Sequence, residues 1–160
     1  FEQASGRVHA VSSVHELIYK SDNVTHVDIG DYVPQLVSFL SASVQSDASH
    51  VNTIAEAEAI VVPTDTAINL ALLINELVTN AYKHAFPDGE PGRIDVVVAQ
   101  EGDILKLTVA DDGVGLSAEK SISGLGSKII AGIVGQLGGE MKTEERARGY
   151  GVRIEVPIHP

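Results

Sequence analysis

The segment NELVTNAYKHAF, residues 75–86, sets polar side chains among residues that are otherwise apolar and helix-forming. Glu76 and Asn80 are four residues apart and Lys83 follows three later, so a helix would place all three on one face. A carboxylate can orient or deprotonate a hydroxyl group, an amide oxygen is a hard ligand suited to Mg²⁺, and an ammonium group attracts phosphate. This face predicts a ligand site, with or without a metal ion. A helix with a solvated polar stripe explains the spacing equally well.

A second candidate is ADDGVGL, residues 110–116. Asp111 stands where an apolar strand ends, and Gly113 and Gly115 follow at alternate positions. A buried carboxylate at a strand end can accept a hydrogen bond from an exocyclic amine, and glycines let the backbone approach a ring. Taken alone, the segment is better explained as an ordinary Asp-Gly turn.

A third candidate is GLGSKIIAGIVGQLGG, residues 124–139, in which a glycine-rich loop runs straight into a helix. Free backbone N–H groups and the positive end of the helix dipole would then face an anion. Ser127 and Lys128 fall in the first turn, within reach of a phosphate. The alternative is a flexible loop with an ordinary helix cap. The segment is not a P-loop, because the Walker spacing and the preceding strand are absent.

The rest of the pattern predicts the elements that must position these blocks. The predicted helices are Phe1–Tyr19, a second from a cap at Asp31 (with Pro34 in its first turn) to about Ser46, about Asp65–His84 capped by Thr64 or Asp65, and KIIAGIVGQLG. The predicted strands are HVNTIAEA, AIVVP, a hairpin that turns at Gly102-Asp103, and a final pair around ARGYG. Helices and strands mix without strict alternation, which indicates an α+β sandwich.

Composition bounds the possible functions. The 160 residues suffice for one domain, and a net charge of −11 argues against a generic nucleic-acid surface. Without cysteine there is no disulfide framework, thiolate metal site or cysteine nucleophile. No apolar run approaches the roughly 20 residues that a membrane span needs. Because the chain opens with Phe1, we expect it to be part of a longer protein.

The order of the three blocks resembles the N, G1 and G2 boxes of the GHKL ATPase superfamily, which includes histidine kinases, DNA gyrase and a heat-shock chaperone. The boxes span Leu70 to Gly139. The resemblance implies a Bergerat-type two-layer α/β sandwich with a mixed, mostly antiparallel sheet, preceded by an N-terminal helix. It also implies binding of ATP with Mg²⁺.

Within that superfamily, LLINELVTNAYKHAF and GLGSKIIAGIVGQLGGE look most like bacterial sensor histidine kinases of the HWE-related group. The chain has no Trp, so the sister subgroup with the second HisKA-type dimerisation domain fits better. The resemblance implies that residues 1–22 end the dimerisation and phosphotransfer region and that residues 23–160 form the ATP-binding domain.

The resemblance also assigns roles to residues. Glu76 matches the base-like residue that orients the reacting group, and Asn80 matches the Mg²⁺ ligand. Asp111 matches the carboxylate that reads adenine. The other nucleotide-binding positions it implies are Lys83, His84, Gly113, Gly115, Leu116, Gly124, Leu125, Gly126, Ser127 and Lys128. Asn75 can face either the ligand or the sheet.

The resemblance implies a two-component kinase that transfers the γ-phosphate of ATP to a histidine and then to a response-regulator aspartate. His15, which precedes Glu16, could be read as the acceptor, but the stretch matches the end of the following helix, so we expect the acceptor outside these residues. A cytoplasmic domain, with dimerisation through the N-terminal helices of a parent that is soluble or membrane-anchored, is implied as well. The alternatives are an anti-sigma-factor-type serine kinase and a nucleotide-sensing module without phosphotransfer.

Overall fold

A layer of helices packs on one face of a five-stranded sheet. The computed structural model describes Ser12 and residues 25–43, 50–86, 90–114 and 125–158. The helices of these residues are α1 (Ile29–Ser43), α2 (Thr64–His84) and α3 (Leu125–Gln136). The strands are β1 (His26–Asp28), β2 (Val51–Ala57), β3 (Val61–Pro63), β4 (Gly92–Glu101), β5 (Ile104–Asp111), β6 (Glu140–Glu145) and β7 (Tyr150–Pro157).

The main sheet has the order β2-β4-β5-β7-β6, so β5 is its central strand. Strand β2 runs parallel to β4, and the other three pairs are antiparallel. Strands β4 and β5 form the expected hairpin, in which Glu101 pairs with Ile104 and Gly102 adopts a φ of 60°. That left-handed conformation suits a two-residue hairpin turn and favours glycine. The mixed, mostly antiparallel α+β sandwich is confirmed.

Alternation along the strands separates the two faces of the sheet. In β4, Ile94, Val96 and Val98 are buried against the helices, while Arg93 and Asp95 point to the other face and form an ion pair of 2.7 Å. The same period places charged residues of β6 and β7 on that outer face, where Arg153 Nε lies 3.5 Å from Glu144 Oε1. One face of the sheet therefore supplies the core, and the other is charged.

Helix α1 begins earlier than the sequence predicts. Its first residue is Ile29, and Asp28 Oδ1 accepts the N–H of Gly30 at 2.9 Å, so Asp28 caps the helix in place of Asp31. Pro34 consequently lies in the second turn and not in the first. Complete burial of Ile29 explains the shift, because the extra turn brings an apolar side chain into the core. The predicted end near Ser46 lies outside the described residues.

Helix α2 begins at Thr64, directly after Pro63, so the predicted cap at Thr64 or Asp65 is wrong. Pro63 has no side-chain acceptor that could cap a helix, and the chain instead enters α2 from a small second sheet in which β1 pairs with β3. The N–H of Thr64 donates to Thr25 O at 3.0 Å and that of Ile29 to Ile60 O at 2.8 Å. The first bond holds the start of α2, and the second the start of α1, next to the small sheet.

The predicted helix from Phe1 to Tyr19 lies outside the described residues, apart from Ser12, which is helical. Among the residues whose placement is known, no helix combines the length and apolarity that crossing a bilayer would require.

Candidate functional site

The polar face of α2 carries the first group of candidate residues. Glu76 is only 1% exposed although it bears a carboxylate, and Asn80, one turn later, is half-buried. Lys83 and His84 occupy the last turn and are exposed. The other side of α2 supplies Leu70, Ile74 and Leu77 to the core. The helical period therefore determines which side carries the polar residues.

The N-terminus of α3 meets this polar face at Gly126. A Cβ placed on Gly126 would lie 2.8 Å from Glu76 Oε2 and 4.0 Å from Asn80 Oδ1. Only glycine leaves this space open without displacing the Glu76 carboxylate. The first N–H groups of a helix have no partner inside the helix and carry the positive end of its dipole. The Glu76 carboxylate and the Asn80 amide oxygen therefore lie beside the first turn of α3, which offers backbone N–H donors.

These groups suit a hard cation that arrives with its own oxygen ligands. Among the described residues, no three His, Cys, Asp or Glu side chains come together closely enough to hold a metal ion. Mg²⁺ commonly takes one or two protein oxygens and completes its octahedron with phosphate and water. The Asn80 amide oxygen and the Glu76 carboxylate beside Gly126 fit that mode, and the N–H groups of α3 fit the phosphate.

Asp111 ends the central strand β5 and is buried, with 4% of its surface exposed. Its Oδ1 accepts the N–H of Gly113 at 3.0 Å, and the backbone N–H of Tyr150 also donates to the carboxyl group. Burial raises the pKa of Asp111 above its usual 3.8, because the charged form loses hydration. The two N–H donors and the Arg146 charge oppose that rise, and Asp112 adds to it. The site thus holds a buried acceptor whose ionised form is costly.

Gly113 joins this strand end to the end of α2. A Cβ on Gly113 would lie 2.2 Å from Ala85 O, and the N–H of Val114 donates to the same carbonyl at 2.9 Å. The space at its Cβ position is taken by the Ala85 backbone, so a side chain here would collide with the residue that follows α2. The turn that follows Asp111 is therefore fastened to the helix that carries Glu76 and Asn80.

The remaining predicted positions divide into two groups. In the first turn of α3, Ser127 is half-buried and Lys128 exposed, in the positions the sequence predicts. Leu125 opens that helix. The positions outside the described residues are Gly115, Leu116, Gly124 and the candidate acceptor His15.

Sequence reasoning left open the orientation of Asn75 and missed the contact of Gly149 with Asp111. Asn75 does not point to solvent, because only 2% of it is exposed. Its Oδ1 accepts no hydrogen bond within the described part of the chain. Gly149 has a φ of 94° and packs against Asp111, where a Cβ would lie 1.9 Å from Asp111 O. The sequence signals were the Asn75-Glu76 pair itself and the turn motif ARGYG, and neither shows what these residues contact.

Two family models match the chain. Residues 65–160, more than half of it, match the model described as histidine kinase-, DNA gyrase B-, and HSP90-like ATPase. Residues 1–44 match HisKA_2, described as histidine kinase. The second match confirms the predicted subgroup with the second HisKA-type domain.

Relatives are similar over nearly the whole chain. Blue-light-activated histidine kinase 2 of Erythrobacter litoralis is 29% identical over 170 residues, covering 99% of this chain and 47% of the relative. Sensor histidine kinase PdtaS of Mycobacterium tuberculosis is 29% identical over 160 residues, covering 95% of this chain and 31% of the relative. The chain thus spans 47% of the length of the first relative and 31% of the length of the second.

A solved structure agrees with the fold described above. The histidine kinase domain of the Erythrobacter litoralis EL346 blue-light activated histidine kinase superposes with a TM-score of 0.87 at 27% identity, covering 99% of this chain and 76% of that one.

Asp111→Asn is expected to stabilise the ligand-free protein at neutral pH. Because the pKa of Asp111 is raised on folding, its proton stabilises the folded state below the unfolded pKa, near 3.8, and this contribution is lost as pH rises through the folded pKa. The substitution removes that loss. Thermal unfolding should show a higher midpoint for Asp111→Asn at pH 7 and a vanishing difference toward pH 3.8. A difference that grows on acidification would contradict the assignment.

Gly113→Ala is expected to destabilise the protein by about 1–3 kcal/mol, because the added methyl group must displace the Ala85 backbone. Gly132→Ala is the matched control, since Gly132 lies exposed within α3 and its Cβ position is open. In a helix that control should be neutral or stabilise by up to about 1 kcal/mol. Urea unfolding of both variants measures the contrast, and equal effects would refute the packing argument.

Proposed function

Because the chain belongs to the histidine kinase-, DNA gyrase B-, and HSP90-like ATPase family, we propose that it provides the ATP-binding catalytic domain of a two-component sensor histidine kinase. Residues 23–160 form that domain in this proposal, and residues 1–22 end the dimerisation and phosphotransfer region. The observation that carries it is the junction of Gly126 with Glu76 and Asn80, tied through Gly113 to the buried Asp111. In this proposal α2 holds both parts of one site. The anion pole binds the phosphates, and the base-reading pole recognises the base.

At the base-reading pole, the Asp111 carboxylate accepts a hydrogen bond from the exocyclic amine of adenine. Guanine presents a carbonyl oxygen at the corresponding position, which a carboxylate repels. The cost of keeping Asp111 ionised in a buried place is consistent with such a role, since perturbed carboxyl groups gather at functional sites. Gly113, Gly115 and Leu116 flank the base in this proposal.

At the anion pole, the N–H groups that open α3 bind the phosphates. Gly124, Leu125, Gly126, Ser127 and Lys128 supply this turn in the proposal. Lys83 and His84, exposed at the end of α2, add donors near the triphosphate. Asn80 is the protein ligand of Mg²⁺. When bound, that ion neutralises charge that develops on the transferred phosphoryl group.

Glu76 is the proposed base-like residue. Its near-complete burial places a carboxylate in a desolvated setting beside the phosphate-binding turn, where it can orient an incoming imidazole and accept its proton. The acceptor in this proposal is a histidine on a dimerisation helix of the whole protein. A response-regulator receiver domain then takes the phosphoryl group on an aspartate. Both steps, and dimerisation through the N-terminal helices, belong to the cytoplasm, where ATP is available.

Two other functions use a similar nucleotide domain. An anti-sigma-factor-type serine kinase is disfavoured by the histidine kinase match over residues 1–44. A sensing module without phosphotransfer is disfavoured by the presence of both Glu76 and Asn80 beside Gly126. A labelled-phosphate assay on the full-length protein separates a kinase from a pure sensor.

Calorimetry with ADP and Mg²⁺ tests the nucleotide site. We expect Asp111→Asn to weaken ADP binding by about 10- to 100-fold, the effect of losing one hydrogen bond to a charged group. The control is Asp103→Asn, which removes the same charge in the exposed hairpin turn at the opposite end of β5 and should leave affinity unchanged. No binding to the folded wild-type chain, or equal affinities for all three proteins, would overturn the proposal.

Incubation with γ-labelled ATP and Mg²⁺ tests the acceptor assignment. We expect this chain to remain unlabelled, because His15 is not the proposed phosphoacceptor. His15→Ala serves as the control for any background signal. An acid-labile label that disappears in His15→Ala would instead make His15 the acceptor.

A further inference from the structure

The turn between β6 and β7, residues 146–149 (the β6–β7 turn), packs directly on the backbone of Asp111. Strands β5 and β7 pair Asp111 with Tyr150, the first residue after the turn. Gly149 lies so close to Asp111 that a Cβ would come within 1.9 Å of its carbonyl oxygen, and its φ of 94° is left-handed. The close contact means that the turn cannot shift without moving Asp111.

Arg148 fastens this turn to the residue after Asp111. Its Nε donates to Asp112 O at 3.0 Å, and its guanidinium group lies 3.9 Å from Glu90 Oε2. On the other side, Asp112 is held by β4, since its Oδ1 accepts the N–H of Arg93 at 2.7 Å and its own N–H donates to Arg93 O at 3.2 Å. Asp112 is thus clamped between β4 and the β6–β7 turn, one residue from the candidate base reader.

The charges around the turn are balanced, which argues against a separate anion site there. An open cleft of about 890 Å³ is lined by three arginines and three acids together with Ala147: Arg93, Arg146, Arg148, Asp95, Asp112 and Glu144. Two of the arginines already have partners. Arg93 forms an ion pair with Asp95, and Arg148 contacts the Asp112 carbonyl oxygen and the Glu90 carboxylate. The arrangement serves contacts within the protein better than it serves a phosphate.

The turn also acts on the Asp111 carboxyl group itself. The N–H of Tyr150 donates to it and the positive charge of Arg146 favours its ionised form, whereas burial and the neighbouring Asp112 disfavour that form. Gly113 supplies the other N–H donor. The turn and the first residue of β7 therefore contribute one hydrogen bond and one favourable charge to Asp111.

We propose that the β6–β7 turn is the positioning element for Asp111, with Arg148 as its positioning residue through the Asp112 carbonyl oxygen. Arg148 does not touch the nucleotide in this arrangement. It holds the strand end, and with it the carboxylate, in the direction needed to read the amine of the base. This inference rests on the proposed binding of an adenine nucleotide at Asp111.

The test compares Arg148→Gln with Arg93→Gln. Both side chains are exposed, 72% and 55%, and both variants lose one positive charge in the same cleft. Only Arg148 uses its side chain to hold Asp112, because Arg93 does so through its backbone. Arg148→Gln should weaken Mg-ADP binding about three- to tenfold in calorimetry, and Arg93→Gln less than about twofold. Equal affinities, or equal losses in both variants, would overturn the proposal.

A pH series gives a readout that a purely structural role would not move. Arg146→Gln removes the charge that favours the ionised carboxylate, so the loss of ADP binding on acidification should begin at higher pH than in the wild type. The shift should shrink at high salt, because Arg146 is exposed and its field is screened. If the pH at which ADP binding is lost on acidification is the same in Arg146→Gln and the wild type at low salt, Arg146 is not part of the positioning element.

Hydrogen exchange on the nucleotide-free protein separates failure of this inference from failure of the proposed function. If Arg148 holds the strand end, Arg148→Gln should speed exchange of the Gly113 amide, which donates to Asp111, and Arg93→Gln should not. Faster exchange in Arg148→Gln, together with no ADP binding by the wild type, would contradict the nucleotide assignment and support the positioning role. Unchanged exchange beside normal wild-type ADP binding would sink the positioning role alone.

Discussion

A buried carboxylate at the end of the central strand is the constraint on which the rest of the site depends. Asp111 sits where β5 leaves the sheet, and folding takes its charge out of water. Three groups offset part of that cost: the N–H of Gly113 in the turn after β5, the N–H of Tyr150 at the start of β7, and the charge of Arg146 in the β6–β7 turn. The Asp111 carboxylate keeps its orientation as a hydrogen-bond acceptor only if all of these groups are in place. The turns that carry them therefore pack closely around it.

Glycines make that tight packing possible at three positions. Gly113 lies against Ala85, Gly126 against Glu76, and Gly149 against Asp111, and any side chain at these positions would collide with the neighbour. The first two contacts lie at the C-terminal half of α2 or directly after it, and the third lies at the end of β5. The site is thus assembled by close backbone approaches between segments, and the polar side chains gain their positions from those approaches.

The sandwich supports this assembly by separating its faces. Alternation along the strands commits one side to the apolar core and leaves the other to ion pairs such as Arg153 with Glu144. Helix α2 then has one stripe in the core and one stripe beside α3. A stable scaffold that carries one costly buried carboxylate, Asp111, is the arrangement expected when stability is given up at a functional site.

Periodicity in the sequence by itself determined the α+β class, the β4–β5 hairpin and the long α2, because strand and helix periods and turn glycines are local signals. The helical period placed Glu76 and Asn80 on one face for the same reason. The order of the three blocks indicated the family through its resemblance to known ATPases. Only the tertiary structure decided that Asp28 caps α1, that α2 starts after Pro63, that Ala85 fills the space at Gly113, and that a distant turn packs on Asp111. The Asp28 cap is a local bond, but its choice over Asp31 follows from the burial of Ile29 in the core. The other contacts join residues far apart in the chain, and no local pattern encodes which surfaces meet when the core closes.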